Sequence, residues 1–190
     1  MVASSLYTLI YSTASHKIGT DVDYAVKVTD KVNLIFKGSN SSVDWKTNFR
    51  FLPKKRGKLL LHRGYLNAWK SAEETILKEV EPLLENKELR IIGHSFGGAM
   101  SVLASVSFKE YSPEVVTFGC PKIVYFGKKE ISSCGSFVQY AQYNDLVSYC
   151  IPFCRHIAVK RIGEKFNLIK MLKGMEGYHT GYGDETLYED

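Results

Sequence analysis

A serine enclosed by two glycines is the residue of this sequence best suited to chemistry. Ser95 stands in the segment GHSFG at residues 93–97, which has the pattern G-x-S-x-G. A short apolar run at 89–93 leads into the segment, and a helical pattern from 96 to about 111 leads out of it. A serine on a sharp turn between a strand and a helix projects its hydroxyl above a sheet, where it can act as a nucleophile. These flanking elements favour a nucleophile over a glycine-rich turn with an incidental serine.

A serine hydroxyl is a weak nucleophile until a base takes its proton, and the base needs an acid to orient it. In the α/β-hydrolases, which this strand–turn–helix serine resembles, these residues follow in the chain order serine, acid, histidine. Asp145 directly follows a strand-like run at 136–143 and is the predicted acid. Its alternative role is an Asx turn at the strand end. Asp184, five residues after His179, is the rival acid.

Five histidines compete for the role of base. His16 and His62 precede the serine, which is the wrong order. His94 adjoins Ser95, but its side chain should point away from the hydroxyl. His156 and His179 remain. We favour His179, because it lies near the C-terminus among glycines and tyrosines, as expected of a flexible loop that brings a base over the sheet.

Short apolar runs alternate with longer helical patterns along the chain. Strands are expected at 23–28, 31–37, 89–93, 115–119 and 136–143, and helices at 65–85 and 96–111. This alternation predicts an α/β fold, with a mostly parallel sheet covered by helices on both faces. The length of 190 residues fits a single domain, residues 1–190. Sites in such sheets lie beyond the carboxyl ends of the strands.

Several segments in order resemble one known family. They read VNLIFKGSNSSVDW, LHRGYLNAW, LRIIGHSFGGAMSVLAS, VVTFGCPKI and NDLVSYCIP, and they extend from about residue 31 to residue 152. Together they look like the class 3 lipase family, in a form shorter than typical fungal members. The resemblance implies the α/β-hydrolase fold. It also implies a serine hydrolase that cleaves carboxylic esters of lipids through Ser95, Asp145, His179 and an acyl-enzyme.

Two other functions stay open. One is a phospholipase A1 or a lipid acyltransferase that uses the same three residues. The other is an inactive α/β-hydrolase fold that serves as a lipid-binding or interaction module. The presence of all three residue types in order favours an enzyme.

An oxyanion hole needs two hydrogen-bond donors. The backbone N–H of Phe96, directly after the serine, is one candidate, because it lies at a helix N-terminus. Ser39 is the second, since it lies in a loop after an earlier strand where the family places Gly-Ser or Gly-Thr; the alternative is an ordinary strand exit. Lys37 stands where the family usually has arginine. Lysine does not reproduce the bidentate bonding of arginine.

The segment SSVDWKTNFRFLPKKRGK at 41–58 mixes apolar and basic residues. In lipases of this family the corresponding segment often forms a lid. The mixture suits contact with an anionic lipid surface, although a solvated basic loop whose aromatics enter the core is the alternative. A short lid would favour small or monomeric substrates.

The bulk composition is that of an ordinary globular protein, with a net charge of +5. Basic residues are scattered without a recognition motif, so nucleic acid is not an expected partner. No metal cluster or phosphate loop is evident, so neither a metal nor a cofactor is implied. The four cysteines are expected to be free thiols, with disulfides and metal binding as alternatives. No signal peptide is evident. We therefore expect a cytoplasmic or virus- or phage-associated protein, and a secreted chain with its leader removed is the alternative.

Overall fold

A computed structural model describes residues 2–38, 52–149 and 151–188. The strands are β1 (His16–Ile18), β2 (Val22–Val28), β3 (Val32–Phe36), β4 (Pro53–Arg56), β5 (Leu59–His62), β6 (Leu89–His94), β7 (Glu114–Phe118), β8 (Val124–Phe126), β9 (Ser136–Gln142) and β10 (Val159–Ile162). The helices are α1 (Ala3–Ser12), α2 (Arg63–Val80), α3 (Phe96–Ser107), α4 (Lys128–Ser132), α5 (Leu168–Lys173) and α6 (Met175–Thr180). Short 3₁₀ turns occupy Glu81–Leu84, Lys109–Tyr111, Leu146–Ser148 and Glu185–Tyr188.

Seven strands form the central sheet, in the order β1-β2-β3-β6-β7-β9-β10. The five strands from β3 to β10 run parallel, and β1 and β2 add an antiparallel edge. Parallel strands need helical crossovers, and these helices cover the faces of the sheet. The predicted α/β-hydrolase fold with a mostly parallel sheet is confirmed.

Both faces of the sheet are buried, as β3 shows. All five of its residues are buried, and successive side chains enter opposite cores. Leu34 and Phe36 join the core formed with α2 and α3. Ile35 joins a second core, in which α1 and Tyr182 take part. The consecutive apolar residues Leu34, Ile35 and Phe36 are therefore those of a strand covered on two sides.

The helices differ from their predicted bounds for identifiable reasons. The predicted helix at 65–85 is α2, which passes into a 3₁₀ turn after Val80, where Pro82 follows at the start of that turn. The predicted helix at 96–111 is α3, which ends at Ser107 before a further 3₁₀ turn. The sequence did not predict α1 or the three short helices α4, α5 and α6.

A second, antiparallel sheet has the order β4-β5-β8. Strand β4 lies within the segment expected to form a lid, and it pairs with β5 from Pro53 to Arg56. This part of the segment is therefore sheet structure, while residues 41–51 lie outside the described residues. Across the described ranges no helix combines the length and apolar character needed to span a bilayer.

Candidate active site

Ser95 lies on a strained turn between β6 and α3. Its backbone has φ 54° and ψ −122°, a conformation that non-glycine residues rarely adopt. The Ser95 N–H donates to the backbone oxygen of Phe118 in the neighbouring strand β7 (2.9 Å). Strain of this kind persists only where the surrounding structure enforces it. Here the sheet on one side of the turn and the helix on the other enforce it.

Two glycines of the turn are required by close contacts. A Cβ atom on Gly93 would lie 2.3 Å from the backbone oxygen of Gly97. A Cβ on Gly97 would lie 2.3 Å from the backbone oxygen of Phe36, at the carboxyl end of β3. Only glycine allows α3 to pack this tightly against the sheet. These contacts explain why both glycines flank the serine.

The three residues predicted from chain order lie in one hydrogen-bonded line. His179 Nε2 is 2.7 Å from Ser95 Oγ, and His179 Nδ1 is 3.0 and 3.1 Å from the two oxygens of Asp145. With Asp145 ionised, Nδ1 carries the proton and donates to the carboxylate, which leaves Nε2 free to accept from the serine hydroxyl. This arrangement can withdraw a proton from Ser95 and stabilise the cation that forms.

Asp145 is fully buried, and its hydrogen bonds stabilise the carboxylate. Besides the bond to His179, it accepts from the backbone N–H of Val147 (3.0 Å) and from the hydroxyl of Tyr182 (2.7 Å). The contact with Val147 is the Asx turn that the sequence offered as the alternative role. The Asx turn and the bond to His179 are therefore made by the same side chain. The sequence did not indicate the part played by Tyr182.

Gly119 places the end of β7 against Asp145 and His179. It adopts φ +54°, and a Cβ there would lie 2.8 Å from Asp145 Oδ2 and 3.0 Å from His179 Nδ1. Any side chain would displace these two groups. The signal in the sequence is a glycine directly after the buried strand, in TFGCP at 117–121.

His94 supports the backbone of His179 through a hydrogen bond. Its Nε2 lies 2.7 Å from the backbone oxygen of His179 and its Nδ1 lies 2.6 Å from the hydroxyl of Tyr11. A carbonyl oxygen can only accept, so Nε2 carries the proton and Nδ1 accepts from Tyr11. Burial, with the adjacent His179 ring adding to it, lowers the pKa of His94 to about 3. The ring is therefore neutral, and its two hydrogen bonds hold it against the backbone of His179.

A second tyrosine of α1 bonds to the backbone next to His179. The hydroxyl of Tyr7 donates to the backbone oxygen of Thr180 (2.7 Å). Tyr7 also packs against the rings of His94, Phe118 and Tyr182. Two tyrosines of α1 thus position the segment that carries His179, one directly and the other through His94. Nothing in the sequence pattern of α1 alone reveals this role.

The rival residues have other partners. The carboxylate of Asp184 accepts from the N–H and the hydroxyl of Thr186. Nε2 of His156 bonds to the backbone oxygen of Ser148 (3.0 Å), and burial lowers the pKa of His156 to about 4. His16 packs on Tyr24, and the buried His62 packs on Tyr65.

Of the two predicted oxyanion donors, Phe96 belongs to the described residues and Ser39 does not. Phe96 is the first residue of α3, where backbone N–H groups have no partner one turn earlier in the helix. Ser39 lies outside the described residues. Its neighbour Gly38 lies against the serine, since a Cβ there would be 3.2 Å from Ser95 Cβ.

The described ranges hold no group of three or more His, Cys, Asp or Glu side chains arranged to bind a metal ion. The thiols of Cys120, Cys134 and Cys154 are free and buried. Burial raises the pKa of Cys120 to about 12 and that of Cys154 to about 11, so both stay protonated.

The central part of the chain matches a known family. Residues 33–153 match the family described as lipase (class 3). The matched range includes Ser95 and Asp145 and ends before His179. It covers well over half of the chain.

Individual relatives share the central part of the chain. A chloroplastic phospholipase A1 of Arabidopsis thaliana is 31% identical over 114 residues, which are 53% of this chain and 18% of that protein. A secreted mono- and diacylglycerol lipase A of Penicillium cyclopium is 29% identical over 126 residues, or 61% of this chain and 41% of that one. A crystal structure of an N225Q mutant of MDLA from the same fungus has the same fold, with TM-score 0.70 and 24% identity over 80% of this chain and 63% of that one. The chain spans less than two thirds of the length of each.

Proposed function

This chain belongs to the class 3 lipase family, and from that premise we propose that it hydrolyses carboxylic esters of lipids with Ser95 as nucleophile. The observation that carries the proposal is the unbroken line of hydrogen bonds from Asp145 through His179 to Ser95 Oγ. These hydrogen bonds make the serine hydroxyl a stronger nucleophile, because they place a base in the right tautomer within reach of its proton.

The proposed reaction has two halves. His179 Nε2 takes the Ser95 proton while Oγ bonds to the ester carbonyl carbon, and the protonated ring then gives that proton to the departing alcohol. Water then enters, loses a proton to Nε2 and attacks the acyl-enzyme, which releases the carboxylic acid and restores Ser95. Asp145 stabilises the charged ring in both halves. Its buried carboxylate has little solvent screening, which strengthens this effect.

Negative charge on the carbonyl oxygen needs donors that are already in place. We propose the backbone N–H of Phe96 as one and Ser39 as the other. The position of Phe96 at the start of α3 supports the first, because the helix dipole also favours an anion there. The contact of Gly38 with Ser95 supports the second.

The relatives support a lipid ester as substrate without fixing its head group. One relative is named a phospholipase A1 and another a mono- and diacylglycerol lipase. We propose an acylglycerol as the substrate, and a phospholipid or an acyl transfer on the same residues as the second candidate. We also propose that the protein contacts an anionic lipid surface while it acts.

For the compartment we propose the cytoplasm or a virus or phage particle. The three buried free thiols support a reducing environment, where disulfides are rare. A secreted relative shows that other members of the family work outside the cell.

A fluorophosphonate probe tests the proposal directly, because it labels only an activated serine. We expect the wild-type protein to be labelled and the Ser95→Ala variant to stay unlabelled. The variant should lose several orders of magnitude in kcat on a dissolved p-nitrophenyl ester, with about 10³-fold acceleration over water remaining. A folded wild-type protein that resists labelling would instead identify an inactive fold with a binding role.

A substrate panel separates the two candidates. We propose comparing p-nitrophenyl esters of rising chain length with monoacylglycerol and phosphatidylcholine. Preference for monoacylglycerol supports the acylglycerol lipase, and preference for phosphatidylcholine with release of its sn-1 acyl chain supports the phospholipase A1.

A further inference from the structure

Helix α5 and Phe166, two residues before its start, expose an unusual amount of apolar surface. Four large side chains within seven residues are more than half exposed: Phe166 (53%), Leu168 (56%), Ile169 (65%) and Leu172 (63%). Met171 is the buried residue of the helix. Single exposed apolar residues are ordinary, but a contiguous group marks a binding surface. We call these four residues the α5 patch.

The segment that carries the α5 patch has a net positive charge. Lys165, Lys170 and Lys173 are exposed on the same short segment. Glu164 pairs with Lys170, so residues 164–173 carry three lysines against one acidic side chain, a net charge of +2. A second copy of this chain would bring the same positive charge to a two-fold interface. An anionic surface complements the charge.

The α5 patch is attached to the proposed acid and base. The backbone N–H of Asn167, which caps α5, donates to the side-chain oxygen of Asn144 (2.8 Å), the neighbour of Asp145. Glycine 174 alone separates α5 from α6, the helix that carries His179. The hydroxyl of Tyr178 donates to Glu164 at the other end of the segment (3.3 Å). The patch therefore lies at the carboxyl edge of the sheet, beside the triad.

We propose that the α5 patch docks this protein on an anionic lipid bilayer. The helix lies in the plane of the interface with Leu168, Ile169 and Leu172 among the acyl chains and its lysines at the head groups. The proposal rests on the proposed function, because it identifies the surface that brings the Ser95 site to its lipid. It differs from the expectation of a docking lid at 41–58, since it places the contact after the acid.

Vesicle flotation with the Ser95→Ala protein tests the proposal without any hydrolysis. The vesicles contain phosphatidylserine and phosphatidylcholine in equal parts, or phosphatidylcholine alone. We expect binding to the anionic vesicles that weakens as salt is raised. In this background Ile169→Asp with Leu172→Asp should lower the partition coefficient at least about tenfold for each residue. Lys170→Gln with Lys173→Gln should lower it about fivefold for each lysine.

A matched pair of substitutions at the opposite edge of the sheet is the control. Leu83 and Tyr111 are 37% and 40% exposed, in turns that precede the amino ends of β6 and β7. Leu83→Asp with Tyr111→Asp should leave vesicle binding unchanged. Thermal unfolding followed by circular dichroism checks that every variant is folded.

Three results would overturn the proposal. The first is a parent protein that does not bind anionic vesicles. The second is a folded Ile169→Asp, Leu172→Asp variant that binds them as the parent does. The third is sedimentation as a dimer without lipid that these substitutions abolish, because the patch would then hold a second copy. Labelling by the fluorophosphonate probe is independent of all three, so failure of the hydrolase proposal stays distinguishable.

Discussion

The two halves of the site are held in different ways. Residues 89–105, which carry the nucleophile, are all buried, and sheet pairing and the packing of α3 fix their backbone. His179 lies on a six-residue helix that follows an exposed segment, and side chains from distant parts of the chain hold that helix. Tyr7 bonds to Thr180, and His94 bonds to the backbone of His179 itself.

This difference has a consequence for mutation. A buried backbone close to its neighbours leaves no room for added atoms, because protein interiors are close-packed. A short helix held by side-chain hydrogen bonds tolerates added atoms but depends on each bond. We therefore expect the nucleophile region to fail by steric clash and the base region to fail by loss of single polar groups.

The same substitution at one glycine in each region gives the largest expected contrast. Gly97→Ala places a Cβ 2.3 Å from the carbonyl oxygen of Phe36. This clash should lower the unfolding free energy by about 3 kcal/mol or more. Gly177→Ala in α6 meets no atom within 4 Å and should stabilise by about 0.5–1 kcal/mol, because alanine favours helix. Urea unfolding measures both. Equal effects would show that the two regions are packed alike.

Loss of one hydroxyl beside the acid should have a smaller effect. Tyr182→Phe removes the bond to Asp145 and leaves the N–H of Gln142 without its acceptor. We expect a loss of about 2–3 kcal/mol in unfolding free energy and about tenfold in kcat/KM on a dissolved ester. Tyr178→Phe is the control, because its hydroxyl makes a long, exposed bond to Glu164 (3.3 Å). If Tyr182→Phe kept full kcat/KM, Asp145 would not need this donor.

The buried His94, which joins the two regions, should make the protein less stable in acid. The pKa of His94 is lowered to about 3 in the folded state, against about 6.5 when unfolded. Between these values only the unfolded chain binds the proton. The contribution of His94 to stability is therefore fully present above pH 6.5 and is lost as the pH falls, by up to about 1.4 kcal/mol per pH unit.

His94→Asn should reduce the slope of the unfolding free energy against pH by the equivalent of about one proton between pH 6 and pH 4. Denaturant unfolding at several pH values measures this slope. Carboxylates and the other buried histidines also titrate in this range, so the difference between the two proteins is the quantity of interest. Parallel curves for the two proteins would show that His94 is already protonated in the folded state.

The position of Ser95 on a turn between a strand and a helix was predictable because its signal is local. Strand, turn and helix around Ser95 are consecutive in the chain, and the two glycines report the close packing that the turn needs. The order of the remaining residues pointed to Asp145 and His179, and the structure places both within hydrogen-bond distance in one line. Their roles in catalysis remain predictions that the probe and the variants test.

The supports of the base were not predictable, because they join residues far apart in the chain. Tyr7 is 173 positions from Thr180, and Tyr11 is 83 positions from His94. No spacing rule connects such pairs, since only the packing of α1 against the sheet brings them together. Tyr182, likewise, is recognisable as a partner of Asp145 only once the tail has folded back.

The sequence by itself determined the main alternation of strands and helices and the sharp turn at Ser95, because hydrophobic period and backbone freedom are properties of short segments. Only the tertiary structure decided which histidine meets Ser95 and which groups hold it. It also decided which apolar side chains stay exposed beside it, because burial depends on the whole chain. The exposure of the α5 patch, on which the proposed lipid contact depends, is therefore a property of the tertiary structure.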